Sequence, residues 1–317
     1  MVSAAAGILP QAVRIREVGP RDGFQNEPEV IATERKVELI DALARTGLRR
    51  LEVTSFVRAD VIPQLADAAA VLDTIDVPAD VSLSVLIPNE RGLDDALRLL
   101  EGRTGRRRFD EVNVFLSASE THNRKNVNRT IEESLGGLER VLARARRAGL
   151  RCEGVISTSF GCPYEGAVPV ERVLGIAARL RDAGAQEVGF GDTTGMANPL
   201  QVRSFFERAG AELGELELTA HFHNTRGQGL ANVLAALEAG VESFESSFGE
   251  LGGCPVPAGA TGNIATEDVA SMLAEMGIET GIDLPALLAC ASRVQEILGR
   301  PLGSHTLMAG PVDWHRG

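Results

Sequence analysis

The stretch Arg151-Cys-Glu-Gly-Val-Ile-Ser157 begins the part of the sequence that decides the fold. This β-branched run predicts a strand, and the amphipathic segment Val170–Ala183 predicts the helix that follows it. Gly184 stands where helices commonly end in a glycine, and Glu187-Val-Gly-Phe190 predicts the next strand. One strand, one loop, one helix and one glycine turn therefore form a repeating unit.

The same unit recurs along the chain. Further strands are predicted at Arg14–Val18, Arg50–Thr54, Ser82–Leu86, Glu111–Leu116, Glu217–Phe222 and Glu242–Glu245. Further helices are predicted at Thr33–Thr46, Ile62–Leu72, Arg91–Leu100, Ile131–Ala148, Pro199–Leu213, Gly227–Ala239 and Thr266–Met276. Eight successive units predict parallel strands with right-handed crossovers, and eight such strands close into a (β/α)8 TIM barrel.

The alternative fold is a doubly wound open sheet. That fold is expected to carry a Gly-x-Gly-x-x-Gly motif after its first strand, where this chain reads Gly19-Pro-Arg-Asp-Gly23. We therefore expect residues 1–13 to form a short lead and residues 14–317 to form one barrel domain. A helical extension is expected from about residue 278, because Asp283–Gly299 has a helical pattern beyond the eighth unit.

Composition excludes several classes of protein. The chain has 44% hydrophobic and 24% charged residues, which is typical of globular proteins. A net charge of −12 argues against nucleic acid as a partner, and no apolar run is long enough to span a membrane. The first ten residues lack the basic start of a signal peptide. Four cysteines without a Cys-x-x-Cys pair suit a reducing cytoplasm.

The loop after the eighth strand has an unusual composition. It reads Gly249-Glu-Leu-Gly-Gly-Cys-Pro-Val-Pro-Ala-Gly-Ala-Thr-Gly-Asn-Ile-Ala-Thr-Glu-Asp268 and holds five glycines. Glycines are costly to order, so a chain keeps them where the backbone approaches a ligand or where a loop moves. A thiol, Cys254, and an amide, Asn263, stand among Gly252, Gly253 and Gly259, which indicates a functional loop rather than a simple connection.

The carboxyl ends of the strands and the loops after them build the active site of a TIM barrel. Side chains capable of chemistry fall at these ends throughout the chain. They are Arg21, Asp22, Glu52, Ser55, Cys162, Tyr164, Asp192, Thr193, His221, His223, Cys254 and Asn263.

The sharpest local pattern is His221-Phe-His223. Alternate residues of a strand point to the same face, so both imidazoles should face the barrel mouth and bind a metal ion. Asp22 offers a carboxylate and Asn263 an amide oxygen, and this oxygen-rich set favours octahedral Mg²⁺ or Mn²⁺ over tetrahedral zinc. Asp192, in a Gly-Asp-Thr-Thr-Gly run, fits a turn and a functional site equally well.

Several motifs together resemble a known family. Gly19-Pro-Arg-Asp-Gly-Phe-Gln-Asn26 resembles the Arg-Asp motif of metal-dependent carbon–carbon lyases and Claisen-type synthases built on a TIM barrel. Leu251-Gly-Gly-Cys-Pro255, with Gly262-Asn-Ile-Ala-Thr-Glu-Asp268 downstream, is similar to the signature of 3-hydroxy-3-methylglutaryl-CoA (HMG-CoA) lyases. Other motifs fit in the same order, namely Glu52–Phe56, Gly161–Gly166, Gly191–Thr193 and His221–Thr225.

The resemblance implies a reaction and a cofactor. It implies cleavage of HMG-CoA, an acyl-CoA, to acetyl-CoA and acetoacetate, a step of leucine and ketone-body metabolism. A divalent cation, Mg²⁺ or Mn²⁺, would be bound by Asp22, His221, His223 and Asn263. The resemblance also suggests a homodimer.

The resemblance further implies individual roles. Arg21 would stabilise the enolate formed when the carbon–carbon bond breaks, and Cys254 would assist proton transfer at that enolate from a closing loop. Glu52, Asp192 and His221 would support catalysis and its proton relay. Substrate contacts are implied for Arg21, Gln25, Ser55, Thr193, Lys125 and Asn126, whereas His122 is interpreted as a polar loop residue.

Alternatives remain at the level of the substrate and the direction of the reaction. Glu250, Asn224, Arg226 and Val256 depart from residues that are usual in the family, which leaves citramalyl-CoA or a longer branched 3-hydroxyacyl-CoA as candidates. A Claisen-type synthase of the same superfamily is a second enzyme interpretation. A non-catalytic barrel that binds an acyl-CoA is the third.

Overall fold

The computed structural model describes residues 9–101, 108–253 and 261–314. Eight parallel strands form a closed barrel in chain order, with β8 paired to β1. The strands are β1 (Arg14–Glu17), β2 (Arg50–Ser55), β3 (Ser82–Leu86), β4 (Glu111–Ser117), β5 (Arg151–Ser157), β6 (Glu187–Asp192), β7 (Glu217–Phe222) and β8 (Ser243–Ser246). The predicted TIM barrel is confirmed.

Helices cover the outside of the barrel. In the described residues they are α1 (Thr33–Leu43), α2 (Ala68–Thr74), α3 (Glu90–Leu100), α4 (Glu120–Val127), α5 (Ile131–Arg147), α6 (Val170–Asp182), α7 (Pro199–Leu213), α8 (Gly229–Glu238), α9 (Thr266–Glu275), α10 (Leu284–Leu298) and α11 (His305–Ala309). None of them is both long enough and apolar enough to cross a membrane.

Two helices differ from the sequence prediction. The segment predicted as one helix over Ile62–Leu72 is a 3-10 turn at Pro63–Leu65 followed by α2. The polar run after β4, in which His122 is interpreted as a loop residue, forms α4, which begins at an N-cap where the Ser119 side chain accepts a hydrogen bond from the His122 amide. Such a cap satisfies one of the free amides at a helix start and stabilises even a short polar helix.

The predicted glycine turns are confirmed. Gly149 and Gly184 follow the C-caps of α5 and α6 with φ of +74° and +110°, and Gly240 follows α8 with φ of +85°. Only glycine adopts this left-handed conformation without a steric penalty. Each turn therefore ends a helix and redirects the chain into the next strand.

The main apolar core lies between the barrel and the helices. Along the strands the apolar residues largely alternate with polar ones, and most of the apolar set points outward against the helices. Leu51, Val53, Val112, Phe190 and Phe222 are all 2% exposed or less in this layer. Phe190 and Phe222 join an aromatic cluster with the α7 side chains.

The inside of the barrel is polar, which is the reverse of the branched apolar filling common in this fold. Buried polar side chains at alternate positions of the strands fill it, namely Arg16, Arg50, Glu52, Ser84, Glu111, Asn113, Glu153, Glu187, Thr219, Ser243 and Glu245. Since residues two apart on a strand share a face, this set forms stacked layers across the barrel.

Arg16 stands at the centre of this polar interior. Its guanidinium is 1% exposed and donates to Glu245 at 2.8 Å, to Glu111 at 3.0 Å and to Glu187 at 3.3 Å, with Glu153 as a further partner. Burial lowers the pKa of Arg16, but the four carboxylates outweigh it and keep the group charged. One cation therefore ties β1 to four other strands.

Two buried carboxylates hold the segments that follow β1 and β8, at the end of the barrel where the strands terminate. Glu17 accepts hydrogen bonds from the amides of Gly19 and Phe248 and from the Thr266 hydroxyl. Glu267 accepts from the amide of Gly249 at 3.0 Å. Burial raises the pKa of Glu17 to about 7 and that of Glu267 to about 8. The turn after β1 and the loop after β8 are thus anchored to the same buried cluster.

We expect Arg16→Met to lower the free energy of unfolding by about 3–5 kcal/mol, because it leaves buried carboxylates without their cation. The control is Arg14→Met on the same strand, where the arginine is 53% exposed and pairs with Glu217. That change should cost within about 1 kcal/mol. Urea denaturation monitored by circular dichroism measures both. Equal losses in the two variants would contradict the central role of Arg16.

Candidate active site

The carboxyl ends of the strands surround a cavity of about 520 Å³, a size suited to a small-molecule substrate. Arg21 and Asp22 from the turn after β1 line it together with His221 and His223 from the end of β7. Gly253 of the loop after β8 lines it as well. Residues that are distant in the sequence therefore meet at one end of the barrel, as predicted.

Arg21 and Asp22 lie in a five-residue π-helical turn, Gly19–Gly23, which begins directly after β1. The Nε of Arg21 donates to Glu52 at 2.6 Å, and its Nη2 lies 2.5 Å from the same carboxylate. Its Nη1 donates to Asp22 at 2.7 Å. A guanidinium has five N–H groups, so two remain to face the cavity.

Glu52 supports Arg21 from below. It is fully buried in the middle of β2 and also accepts a hydrogen bond from the Asn113 side chain on β4. Burial raises the pKa of Glu52 although Arg21 lowers it, and Arg21 itself has a raised pKa because Glu52 and Asp22 outweigh its burial. The guanidinium is thus a fixed positive charge at the cavity wall.

Asp22, His221 and His223 form one cluster of possible metal ligands. One ligand atom from each lies within 4.8 Å of the others. Asn263 joins them, since its Nδ2 donates to Asp22 at 2.7 Å and its backbone forms a bridge to His223. The four residues predicted as ligands from the sequence are therefore brought together.

Two polar atoms of this cluster lack a hydrogen-bond partner within the described part of the chain, and they indicate whether the cluster fits a cation. The Oδ1 of Asn263 and the Nδ1 of His223 are buried and have no hydrogen-bond partner among the described residues. A buried polar atom without a partner costs free energy, so its presence indicates a ligand that completes it. Two imidazoles, a carboxylate and an amide oxygen fit a divalent metal ion.

Electrostatics distinguish the members of the cluster. Burial raises the pKa of Asp22, but Arg21 and the two histidines hold it below its ordinary value. Burial lowers the pKa of His221, and the Glu245 carboxylate more than restores it. Burial and the nearby His221 lower the pKa of His223 to about 3, so this imidazole is neutral and can act as a ligand.

The structure explains why position 252, in the loop after β8, is a glycine. Gly252 has φ of +109°, and a Cβ built on it would lie 2.5 Å from the Nδ2 of Asn263 and 3.3 Å from the Asp22 carboxylate. The loop backbone therefore passes directly over the ligand cluster, as the sequence predicted. Cys254 and Gly259, which were also predicted to belong to this loop's function, lie outside the described residues.

Asp192 shows the turn role that the sequence left open. Its Oδ1 accepts hydrogen bonds from the amides of Met196 and Ala197 at 2.7 and 3.1 Å. Its Oδ2 is buried without a partner in the described residues. Burial raises the pKa of Asp192 to about 6 in spite of these hydrogen bonds. One oxygen therefore holds the turn while the other can exchange a proton near neutral pH.

Four of the predicted substrate contacts line the cavity besides Arg21. Gln25, Thr193, Lys125 and Asn126 all belong to its wall, and the ammonium of Lys125 lies 5.1 Å from the centre of the Tyr164 ring. Ser55 is not part of the cavity wall and is buried at the end of β2 with 1% exposure.

Two residues of the site were missed by the sequence analysis. His122, interpreted as a polar loop residue, lies on α4 and lines the cavity beside Tyr164. Glu245 on β8 lies 2.9 Å from the Nδ1 of His221 and also reaches the cavity. The polar alternation of the strands signals Glu245, since it is an inward position of β8, but no local motif marks it.

Comparison with known proteins places the chain among related sequences and structures. Residues 12–294 match the HMGL-like family. The hydroxymethylglutaryl-CoA lyase YngG of Bacillus subtilis is 47% identical over 298 residues, which cover 94% of this chain and 97% of that protein. The rat mitochondrial hydroxymethylglutaryl-CoA lyase is 40% identical over 97% of this chain and 92% of its own length.

Solved structures agree with these relatives. The crystal structure of the Bacillus subtilis HMG-CoA lyase has a TM-score of 0.90 and 46% identity, and it covers 95% of this chain and 98% of its own. An HMG-CoA lyase from Acinetobacter baumannii in complex with coenzyme A and 3-methylmalate has a TM-score of 0.88 and 38% identity, covering 95% and 96% of the two chains. The chain belongs to the HMGL-like family.

Proposed function

We propose that this chain is a divalent-metal-dependent carbon–carbon lyase that cleaves HMG-CoA to acetyl-CoA and acetoacetate. The observation that carries the proposal is the cluster of Asp22, His221, His223 and the free Oδ1 of Asn263 beside the fixed guanidinium of Arg21. The family and its HMG-CoA lyase relatives support the substrate, and the relative that contains coenzyme A supports an acyl-CoA.

In this proposal Asp22, His221, His223 and Asn263 hold the cation, Mg²⁺ or Mn²⁺. When bound, a divalent cation makes deprotonation of a tertiary hydroxyl feasible near neutral pH. The oxygen-rich donor set favours these two metals over zinc. The backbone at Gly252 restricts the space above the cation site, since a Cβ there would lie only 2.5 Å from the Nδ2 of Asn263.

Arg21 supplies positive charge where the enolate oxygen develops. Glu52 and Asp22 bind three of its N–H groups, so the guanidinium is fixed before the reaction and needs no reorganisation. Its two remaining N–H groups can donate to the thioester oxygen as negative charge builds on it. Such fixed donors stabilise a transition state more than they stabilise the neutral substrate.

Proton transfer in this proposal uses Asp192 and Cys254, and His221 influences it electrostatically. His221 and Asp192 lie on neighbouring strands and interact electrostatically, and Asp192 can hold the hydroxyl proton on its free Oδ2. Cys254, implied by the family resemblance, returns a proton to the enolate carbon after cleavage. An ordinary thiol has a pKa of about 8.5 and is mainly protonated at neutral pH, as an acid must be.

The remaining residues of the cavity wall would contact different parts of the substrate. Gln25 donates to the Asp22 carboxylate and lines the cavity together with Thr193, so both would contact the reacting acyl group. Lys125 and Asn126 lie on α4 at the cavity wall and would contact the CoA portion. Ser55 is buried at the end of β2 and is not part of the cavity wall, so it would support the strand rather than contact substrate.

The proposal also includes a cytoplasmic homodimer that acts in leucine and ketone-body metabolism. The family resemblance supports the dimer and the metabolic role. Cys152, Cys162 and Cys290 are buried free thiols, which accords with a reducing compartment.

Purified protein treated with EDTA should not release acetoacetate from HMG-CoA, because in this proposal the reaction requires the cation that the four ligands hold. Addition of Mg²⁺ or Mn²⁺ should restore the release. Coupled measurement of acetoacetate and acetyl-CoA checks this. Citramalyl-CoA is the comparison substrate. Absence of turnover of HMG-CoA with either metal restored would contradict the proposed function, and turnover of citramalyl-CoA alone would change its substrate.

We expect Arg21→Gln to reduce kcat by about 100-fold or more, which is the effect of removing a fixed donor at an oxyanion. Mn²⁺ should still bind, since Arg21 contacts the ligand Asp22 but is not itself a ligand. The control is Arg45→Gln, because Arg45 is 50% exposed and pairs only with surface groups. Steady-state kinetics and Mn²⁺ titration test the two variants. A rise in KM with an unchanged kcat would show that Arg21 only binds substrate.

A further inference from the structure

The two histidines of the cation site are held differently. His221 on β7 stands in register with Glu245 on β8, and its Nδ1 lies 2.9 Å from the Oε2 of Glu245. A carboxylate accepts hydrogen bonds and cannot donate them, so the proton of a neutral His221 lies on Nδ1. Its Nε2 then carries the lone pair that a cation needs.

His223 has no such partner. Its Nδ1 is buried and without a hydrogen bond among the described residues, so no described carboxylate holds a proton on that nitrogen. At His221, in contrast, Glu245 fixes the position of the ring proton. Glu245, the side chain that holds this proton, is 3% exposed and lies at the cavity wall.

Glu245 is in turn held by Arg16. The Nη1 of Arg16 donates to the Oε1 of Glu245 at 2.8 Å, while Oε2 serves His221. Arg16 and Glu245 are also register partners across the β1–β8 seam that closes the barrel. Three neighbouring strands thus form one continuous chain of contacts from the barrel interior to the cation site.

We propose that Glu245 is a positioning residue that fixes His221 in the tautomer with Nε2 toward the cation, and that Arg16 holds Glu245 in place. The inference rests on the proposed metal site. A carboxylate behind a ligating imidazole orients the ring and increases its basicity, and losing such a partner weakens metal affinity about 10–100-fold. The polar barrel interior therefore sets the affinity of the site above it.

The test compares Glu245→Gln with the matched control Glu153→Gln. Glu153 is also a buried glutamate bound to Arg16, but it has no contact with either histidine. Mn²⁺ is titrated into metal-free protein without substrate and followed by calorimetry. We expect Kd to rise about 10–100-fold in Glu245→Gln and to stay within about twofold of the wild type in Glu153→Gln. Equal changes in the two variants would overturn the proposal.

A second readout, the ring tautomer of His221, needs no metal. The protein has five histidines, so ¹⁵N-labelled histidine gives few ring signals, and His221 is assigned by His221→Gln. We expect the His221 proton on Nδ1 in the wild type and a mixture of tautomers in Glu245→Gln. A proton on Nε2 in the wild type would overturn the inference even if Glu245→Gln does not fold. Absence of Mn²⁺ binding by the wild type would instead contradict the proposed function.

Discussion

Burial of the Arg16 guanidinium among four carboxylates is the constraint on which this barrel depends. An unpaired charge in the interior would cost several kcal/mol, so β1 must sit where Glu111, Glu153, Glu187 and Glu245 can reach it. A slip of one residue along a strand would turn every side chain to the other face. Arg16 would then meet the apolar layer under the helices. The ion pairs therefore help to fix the register in which the barrel closes.

The geometry of the proposed active site depends on contacts with this polar interior. The Arg16–Glu245 pair continues into His221, and Glu52, in the same polar interior, holds Arg21. Above these strand ends, the close approach of Gly252 brings the loop after β8 over Asp22 and Asn263. The charged residues of the barrel interior and those of the proposed active site are thus connected by ion pairs and hydrogen bonds.

Much of this arrangement could be predicted from the sequence. The repeating unit, the glycines after α5 and α6 and the His221–His223 spacing are local patterns, so they identified the fold and most of the cation site. The residues missed depend on contacts across the closed barrel. Glu245 becomes part of the site only when β8 lies beside β7, and the burial of Ser55 follows only from the packing of β2 in the closed barrel. His122 reaches the cavity because the stretch after β4 forms α4, and the polar composition of that stretch does not predict a helix.

The most direct test of the account is the position of the metal. Crystals grown with Mn²⁺ and measured for its anomalous scattering should show a peak bonded to Asp22, His221, His223 and the Oδ1 of Asn263. A peak there would connect the buried charges, the free Asn263 oxygen and the proposed reaction in one site. A peak held by other side chains, or no peak at a metal concentration that restores activity, would contradict the account.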